Sequence, residues 1–243
     1  MKGRICGLFC FIVVKKILEI IMDLSIQLLN ARISKQQLNE LDNDFRQLSP
    51  AQQTLQLNHL YDSAQRLSVK YDFMQNIAIR ILSTNTAPSL FINQLTNIDA
   101  LSFFTPALRV NKGFLVQDTQ GNNVLHNVFK HADATKLPFN YVRSLMLFES
   151  NDDLVKALAQ PNSHGLTPVA CYIAYANKPS TPVKHEFSAL LALMEIEQKQ
   201  NPNAKQQLAN VLKGQKVNET TILLSAAYLQ RSTAQVAHLI KAL

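Results

Sequence analysis

The chain has no tryptophan, three cysteines and six glycines among its 243 residues. Cys6, Cys10 and Cys171 form no CxxC pattern and leave an odd thiol, so neither a disulfide framework nor a zinc site is indicated, and a reducing compartment is the simpler assumption. Few glycines, with 47% hydrophobic residues, exclude a low-complexity or disordered chain. Charge of one sign is nowhere concentrated. Lys plus Arg number 24 against 17 Asp plus Glu, a net +7, yet the longest basic run is Lys15-Lys16. That describes a solvated, mildly basic surface rather than the footprint of a nucleic-acid binder. What the chain does have is long runs rich in Leu, Ala, Gln, Asn and Lys, which lean towards helix.

The N-terminus is apolar over a short stretch. Lys2 and Arg4 precede ten largely apolar residues, Ile5 to Val14, half of the roughly 20 a membrane-spanning helix needs. Lys15, Lys16 and Glu19 interrupt any extension, and no small-x-small cleavage site follows. Residues 1–21 are therefore set apart as a segment with two readings: a reversible membrane-surface anchor, or sequence preceding a native start at Met22, from which "MDLSIQLLNARISK" reads as an ordinary soluble beginning.

Residues 22–111 read as a helical region. Leu38, Leu41, Phe45 and Leu48 recur at spacings of 3 and 4, on one helix face. "SPAQQ" at 49–53 then supplies an N-cap in Ser49, proline at the first helical position in Pro50 and a capping-box partner in Gln52. Leu57, Leu60, Ala64, Leu67, Tyr71, Met74, Ala78 and Ile81 continue as an unbroken seam. The seam predicts one long helix packed on its own neighbours, with a coiled coil between two chains as the competing reading. Thr86 and Pro88 start a further helix, and Asn97 and Asp99 cap "IDALSFF".

Internal repetition organises the remainder, residues 112–243. "GNNVLHNVF" from Gly121, "GLTPVACYI" from Gly165 and "ETTILLSAA" from Glu219 align. Each places a capping residue third (Asn123, Thr167, Thr221), a first-turn residue fourth (Val124, Pro168, Ile222) and an aliphatic fifth (Leu125, Val169, Leu223). One device is used three times: a capped start to a short helix whose next residues enter a core. "NYVRSLMLF", "HEFSALLALMEI" and "AQVAHLIKAL" supply a second helix after each start, while "DDLVKALAQ" and "NPNAKQQLANVL" read as added helices.

These stretches resemble the ankyrin repeat, Gly-x-Thr-Pro-Leu-His followed by x-Ala-Ala. Gly121, Leu125 and His126 match in the first, Gly165, Thr167 and Pro168 in the second, and Thr221, Leu223, Ala226 and Ala227 in the third. Val124 replaces the proline, Ala170 and Leu224 the histidine, and Glu219 the glycine. The spacings, 44 from Gly121 to Gly165 and 54 from Gly165 to Glu219, exceed the standard unit of about 33, so the stacking is expected to be irregular. The resemblance implies that "NKGFLVQD", "AQPNSHG" and "KGQKVN" are turn-forming fingers. Their tips and the first helices would line a concave face for a partner protein, with Phe114, Gln117, Asn162, His164 and Lys216 as candidate contacts.

Catalytic and metal patterns are sparse. His126 and His131 are five apart, so they diverge by about 140° around a helix and cannot easily share a metal. His126 falls on the repeat's own histidine and is assigned the structural role of fixing the turn. His59, His164, His185 and His238 are scattered, Cys171 reads as a small buried hydrophobe, and no GxSxG, Walker or GxGxxG motif occurs. The sequence thus predicts an all-α protein: a helical N-terminal region followed by a short, irregular ankyrin-like α-solenoid. The function expected is non-catalytic protein binding, with no cofactor, no metal and no nucleic acid. Membrane association would come only through residues 1–21. Irregular repeats on an unfamiliar helical region are similar to the ankyrin effectors of intracellular bacteria, which places the protein in the cytoplasm or secreted into a host cell. The competing class is an enzyme or modifier with its site in the N-terminal helices and the repeats presenting substrate. Solenoids need polar end units, so either the last helix caps itself through Gln235, His238 and Lys241, or the apolar side of the array is covered by a partner or by further sequence.

Overall fold

The computed structural model describes residues 35–66, 71–83, 95–110, 112–132, 136–148, 152–175, 184–213 and 219–229. The readings placed on residues 1–21, Met22, Leu67, Thr86, Pro88, Lys216 and "AQVAHLIKAL" lie outside them. Among the described residues the protein is all-α, with eleven α-helices, one 3-10 turn and no sheet.

The chain divides into two compact units, residues 1–47 and 48–243. In the first, the described element is α1, Lys35–Gln47, with Phe45 buried and a Gln36 to Glu40 side-chain hydrogen bond of 3.1 Å on its exposed side.

The second unit begins with the predicted capping box. The Ser49 N–H donates to Gln52 Oε1 (3.0 Å) and the Gln52 N–H to Ser49 Oγ (3.4 Å), starting α2 at Pro50 (Pro50–Arg66). One correction follows. The single long helix expected across residues 50–81 is two, α2 and α3 (Tyr71–Ser83), and they pack against each other, which the halves of one straight rod cannot do. The seam residues Leu57, Leu60, Ala64, Met74 and Ala78 are all buried. A hydrophobic period of 3.5 specifies which face is covered but not where the chain turns back.

Helix α4 (Ile98–Val110) packs closely on α3. Asn97 caps it, its Oδ1 accepting the Ala100 N–H at 2.8 Å, while Asp99 in the first turn pairs instead with Lys136. Pro106 sits inside this helix and brings no N–H to the helical ladder. Two side chains serve carbonyls just upstream of it, Gln75 donating to Phe103 O (2.9 Å) and Thr105 to Leu101 O (2.7 Å). Tyr61, Tyr71 and Phe104 surround Phe103 with ring centroids 4.8–5.5 Å away.

After a 3-10 turn at Gly113–Leu115 the helices are shorter: α5 (Val124–Lys130), α6 (Phe139–Phe148), α7 (Asp152–Ala159), α8 (Pro168–Tyr175), α9 (Lys184–Gln200), α10 (Ala204–Leu212) and α11 (Glu219–Leu229). Their packing is consistent with a solenoid-like arrangement. An inner row runs from α5 to α8 to α11, an outer row from α6 to α9, and α7 and α10 both wedge against α8 and α9. Phe139 joins the rows, edge-on to Phe129 of α5 at 5.4 Å and to Tyr172 of α8 at 4.9 Å. "DDLVKALAQ" and "NPNAKQQLANVL" are helices as expected, the latter starting at Ala204.

The third aligned start is displaced. Val124 and Pro168 open α5 and α8, but α11 already begins at Glu219, so Thr221 lies in its first turn rather than capping it. The inward residues are Thr221, Leu224, Ala227 and Tyr228, while Leu223 is half-buried and Ile222 is 55% exposed. The matching letters of the third copy stand in a different helical phase from those of the first two.

Candidate interaction surface

Two loops carry the geometry. In the first, Asp118 Oδ1 accepts the backbone N–H groups of Gln120 and Asn122, both at 2.8 Å. The turn closes through Gly121 N–H to Asp118 O (2.9 Å) and Asp118 N–H to Asn122 O (2.8 Å). In the second, Asn162 Oδ1 accepts from His164 (2.9 Å) and Leu166 (3.0 Å). Gly165 N–H reaches Asn162 O (2.9 Å) and Asn162 N–H reaches Leu166 O (2.8 Å). An Asx side chain folds each turn, and a glycine with φ of +75° or +76° completes it in the left-handed region, where a Cβ is strained.

The loops are joined edge to edge. The Ser163 N–H donates to Gln120 O (3.0 Å) and Asn162 Nδ2 to Asn122 Oδ1 (3.0 Å). Gln117 Nε2 spans both, donating to Gly121 O (2.6 Å) and Pro161 O (3.1 Å). The approach is close enough that a Cβ on Gly121 would stand 2.8 Å from the Ser163 backbone nitrogen.

Beneath them, Asn123 caps α5, its Oδ1 accepting from Leu125 (3.0 Å) and His126 (3.2 Å). Its Nδ2 donates to Ala157 O at the end of α7 (2.7 Å) and to Gln160 (3.0 Å). His126 Nδ1 completes a capping box by accepting the Asn123 N–H (3.1 Å), while Nε2 stands 2.9 Å from Leu166 O of the second loop. A carbonyl can only accept, so Nε2 carries a proton; Nδ1 also stands 2.8 Å from Asn123 Oδ1, and burial favours the neutral ring. Burial pushes its pKa down to about 4. His126 thus holds the first helix start and the second loop together.

The sequence-predicted contacts divide. Phe114 is buried, 1% exposed, where the 3-10 turn meets α4 and α7; as a core ring it is unavailable to a partner. Gln117 and Asn162 are half-buried and spend their side chains bracing the loops. His164 is exposed at the tip of the second loop, and Lys216 lies outside the described residues. Sequence reasoning passed over Thr119, Gln120 and Ser163, which are also exposed. The signal was available, because Thr119 and Gln120 hold the same places before Gly121 as Ser163 and His164 do before Gly165. The resulting edge is polar at its tips.

Reactive groups do not converge on these loops. Among the described residues no three His, Cys, Asp or Glu side chains are placed to share a metal ion. His131 is exposed beyond the end of α5, away from buried His126. Burial pushes the Cys171 thiol up to about 12. The titratable group missed from the sequence is Glu197 on α9, fully buried and hydrogen-bonded by Thr167 Oγ1 (2.6 Å) and the Tyr228 hydroxyl. Its signal was also present, since Leu190, Leu193, Met194 and Glu197 fall at i, i+3, i+4 and i+7, which places the carboxyl on the apolar face. No described helix is long and apolar enough to cross a membrane.

Set against known protein families, curated proteins and solved structures, the chain matches none of them.

Proposed function

We propose that this chain is a protein-recognition module built on degenerate ankyrin-like repeats, and that the joined loops at 118–122 and 162–166 present its binding edge. The observation that carries the reading is the repetition of one loop, bond for bond, at a spacing of 44 residues, with both copies locked to each other. A rigid edge binds with little ordering cost, because the conformational freedom is already lost on folding. Its exposed side chains, Thr119, Gln120, Ser163 and His164, offer hydrogen-bonding groups, which suit specificity. The placement of His126, Gly121 and Gly165 supports the resemblance to ankyrin repeats, and the resemblance in turn supports a protein partner.

A photo-crosslinking amino acid at position 164 of the full chain tests this, with the same group at exposed Lys199 on outer-row α9 as the control. A partner captured from 164 and absent from 199 is the expected result. Equal capture from both positions, or from 199 alone, would remove the loops from the binding edge. We further propose, from the same resemblance, that the protein is an effector delivered into a host cell. A translocation reporter fused to the chain should then appear in host cytoplasm, and its retention in the bacterium while known effectors are delivered would count against the proposal.

A further inference from the structure

Glu197 is the most deeply placed ionisable group among the described residues with a shifted carboxyl, and binding through the loops makes no use of it. Its Oε1 takes both hydroxyl hydrogen bonds, from Thr167 at the start of α8 and from Tyr228 on α11, while its Oε2 is buried without a hydrogen-bond partner. Three helices therefore meet at one carboxyl. A carboxylate there would have one oxygen desolvated and unpaired, whereas a carboxylic acid can carry its proton on that oxygen and still accept both hydroxyls on the other.

Among the described residues no cation compensates. On its own helix, Lys199 is exposed and paired with Glu195, and His185 and Glu186 lie two turns or more away. Facing α9, helix α8 brings Cys171 and Tyr172, and α11 brings Tyr228. Arg143 on α6, Asp152, Asp153 and Lys156 on α7, and Lys205 on α10 are at or near the surface. None of those charges bears on the carboxyl, whose pKa burial pushes up to about 8 against the lowering by Thr167, Tyr228 and the Val169 N–H. Burial also raises Cys171 and Tyr172, and burial followed by the Glu197 charge raises Tyr228, so these stay neutral through the same range.

We infer that Glu197 is a proton-operated latch for α11: the neutral carboxyl holds α11 against α8 and α9, and loss of the proton loosens that helix while the loops and α5 remain in place. Linkage gives the sign. The carboxyl binds its proton more tightly in the closed state than when solvated, so opening becomes easier by up to about tenfold per pH unit between about 4.5 and 8, then levels off. His126 acts oppositely and only below about 6.5, leaving Glu197 as the cluster's titrating member above that.

Hydrogen exchange of the full chain from pH 5 to 9, corrected for the intrinsic rate of exchange, tests the latch. Amides of α11 should lose protection tenfold or more as pH rises from 6.5 to 8, while those of α5 hold theirs. Glu197→Gln, a neutral mimic of the acid, should abolish the slope. A flat profile for α11 in the wild-type chain, or an unchanged slope in Glu197→Gln, would overturn the inference. Should that variant fail to fold, a carbon NMR titration of the wild-type carboxyl decides: a midpoint above pH 6.5 supports the latch, and one below 6 refutes it.

Discussion

The joint between the first and second repeats and the joint between the second repeat and α11 solve one problem with opposite chemistry. At the first, every polar group named has a partner: Asn123 serves two N–H groups and a carbonyl, and His126 reaches across to Leu166 O. At the second, a carboxyl receives two hydroxyls on one oxygen and nothing on the other. A neutral, satisfied network fixes its geometry at any pH above about 6.5, where His126 is uncharged in either state, whereas a buried acid makes its joint conditional on keeping a proton as pH rises. The binding edge is built on the first kind of joint.

Substitutions should separate the two joints by size of effect. Gly121→Ala is expected to be the most damaging, roughly 3 kcal/mol or more, because left-handed strain adds to a clash with backbone that cannot swing away. Denaturant unfolding would measure it. Gly165→Ala shares the strain, but its Cβ would meet only the Gln207 side chain at 3.3 Å. A loss of about 1–2 kcal/mol is expected there, and a loss equal to that of Gly121→Ala would mean that the loops are not locked at Ser163. Asn123→Ala removes a cap and leaves the Ala157 carbonyl without its donor, for about 2 kcal/mol. At the small end, Asn97→Ala removes one cap from α4, far from either joint, for about 1 kcal/mol. It should leave hydrogen exchange of the two loops unchanged.

Local chemistry was legible in the sequence. Ser49, Asn97, Asn123, Gly121, Gly165 and Pro168 act within a few residues of themselves, so their types and spacings announce what they do. Long-range placement was not. Nothing local told α2 to fold back on α3, because the apolar seam reads the same whether one helix or two bury it. The third repeat start failed for a related reason: Thr221, Leu223, Ala226 and Ala227 match as letters and two of them, Thr221 and Ala227, are buried, but α11 begins at Glu219, so Leu223 is only half-buried while Leu224 and Tyr228 turn fully inward. Phe114 was placed on the surface by analogy with a finger, although an aromatic in a tight turn has more to gain from burial. Glu197 and Tyr228 meet across 31 residues, a distance over which the apolar period flags the buried acid but not its partner.

The contrast between the joints has one direct test, the stability of the whole chain as a function of pH. His126 is held neutral by burial, with a folded pKa of about 4 against an ordinary 6.5, so its contribution is complete above 6.5 and lost as pH falls towards 4. Glu197 has a raised folded pKa, so its contribution is complete below about 4.5 and lost as pH rises through 8. The two joints together predict a maximum at about pH 5.5. His126→Gln should flatten the acid limb alone and Glu197→Gln the alkaline limb alone. Limbs that respond to the wrong substitution, or a profile that neither one changes, would contradict the assignment of an acid-sensitive joint to His126 beneath the loops and an alkali-sensitive hold on α11 to Glu197.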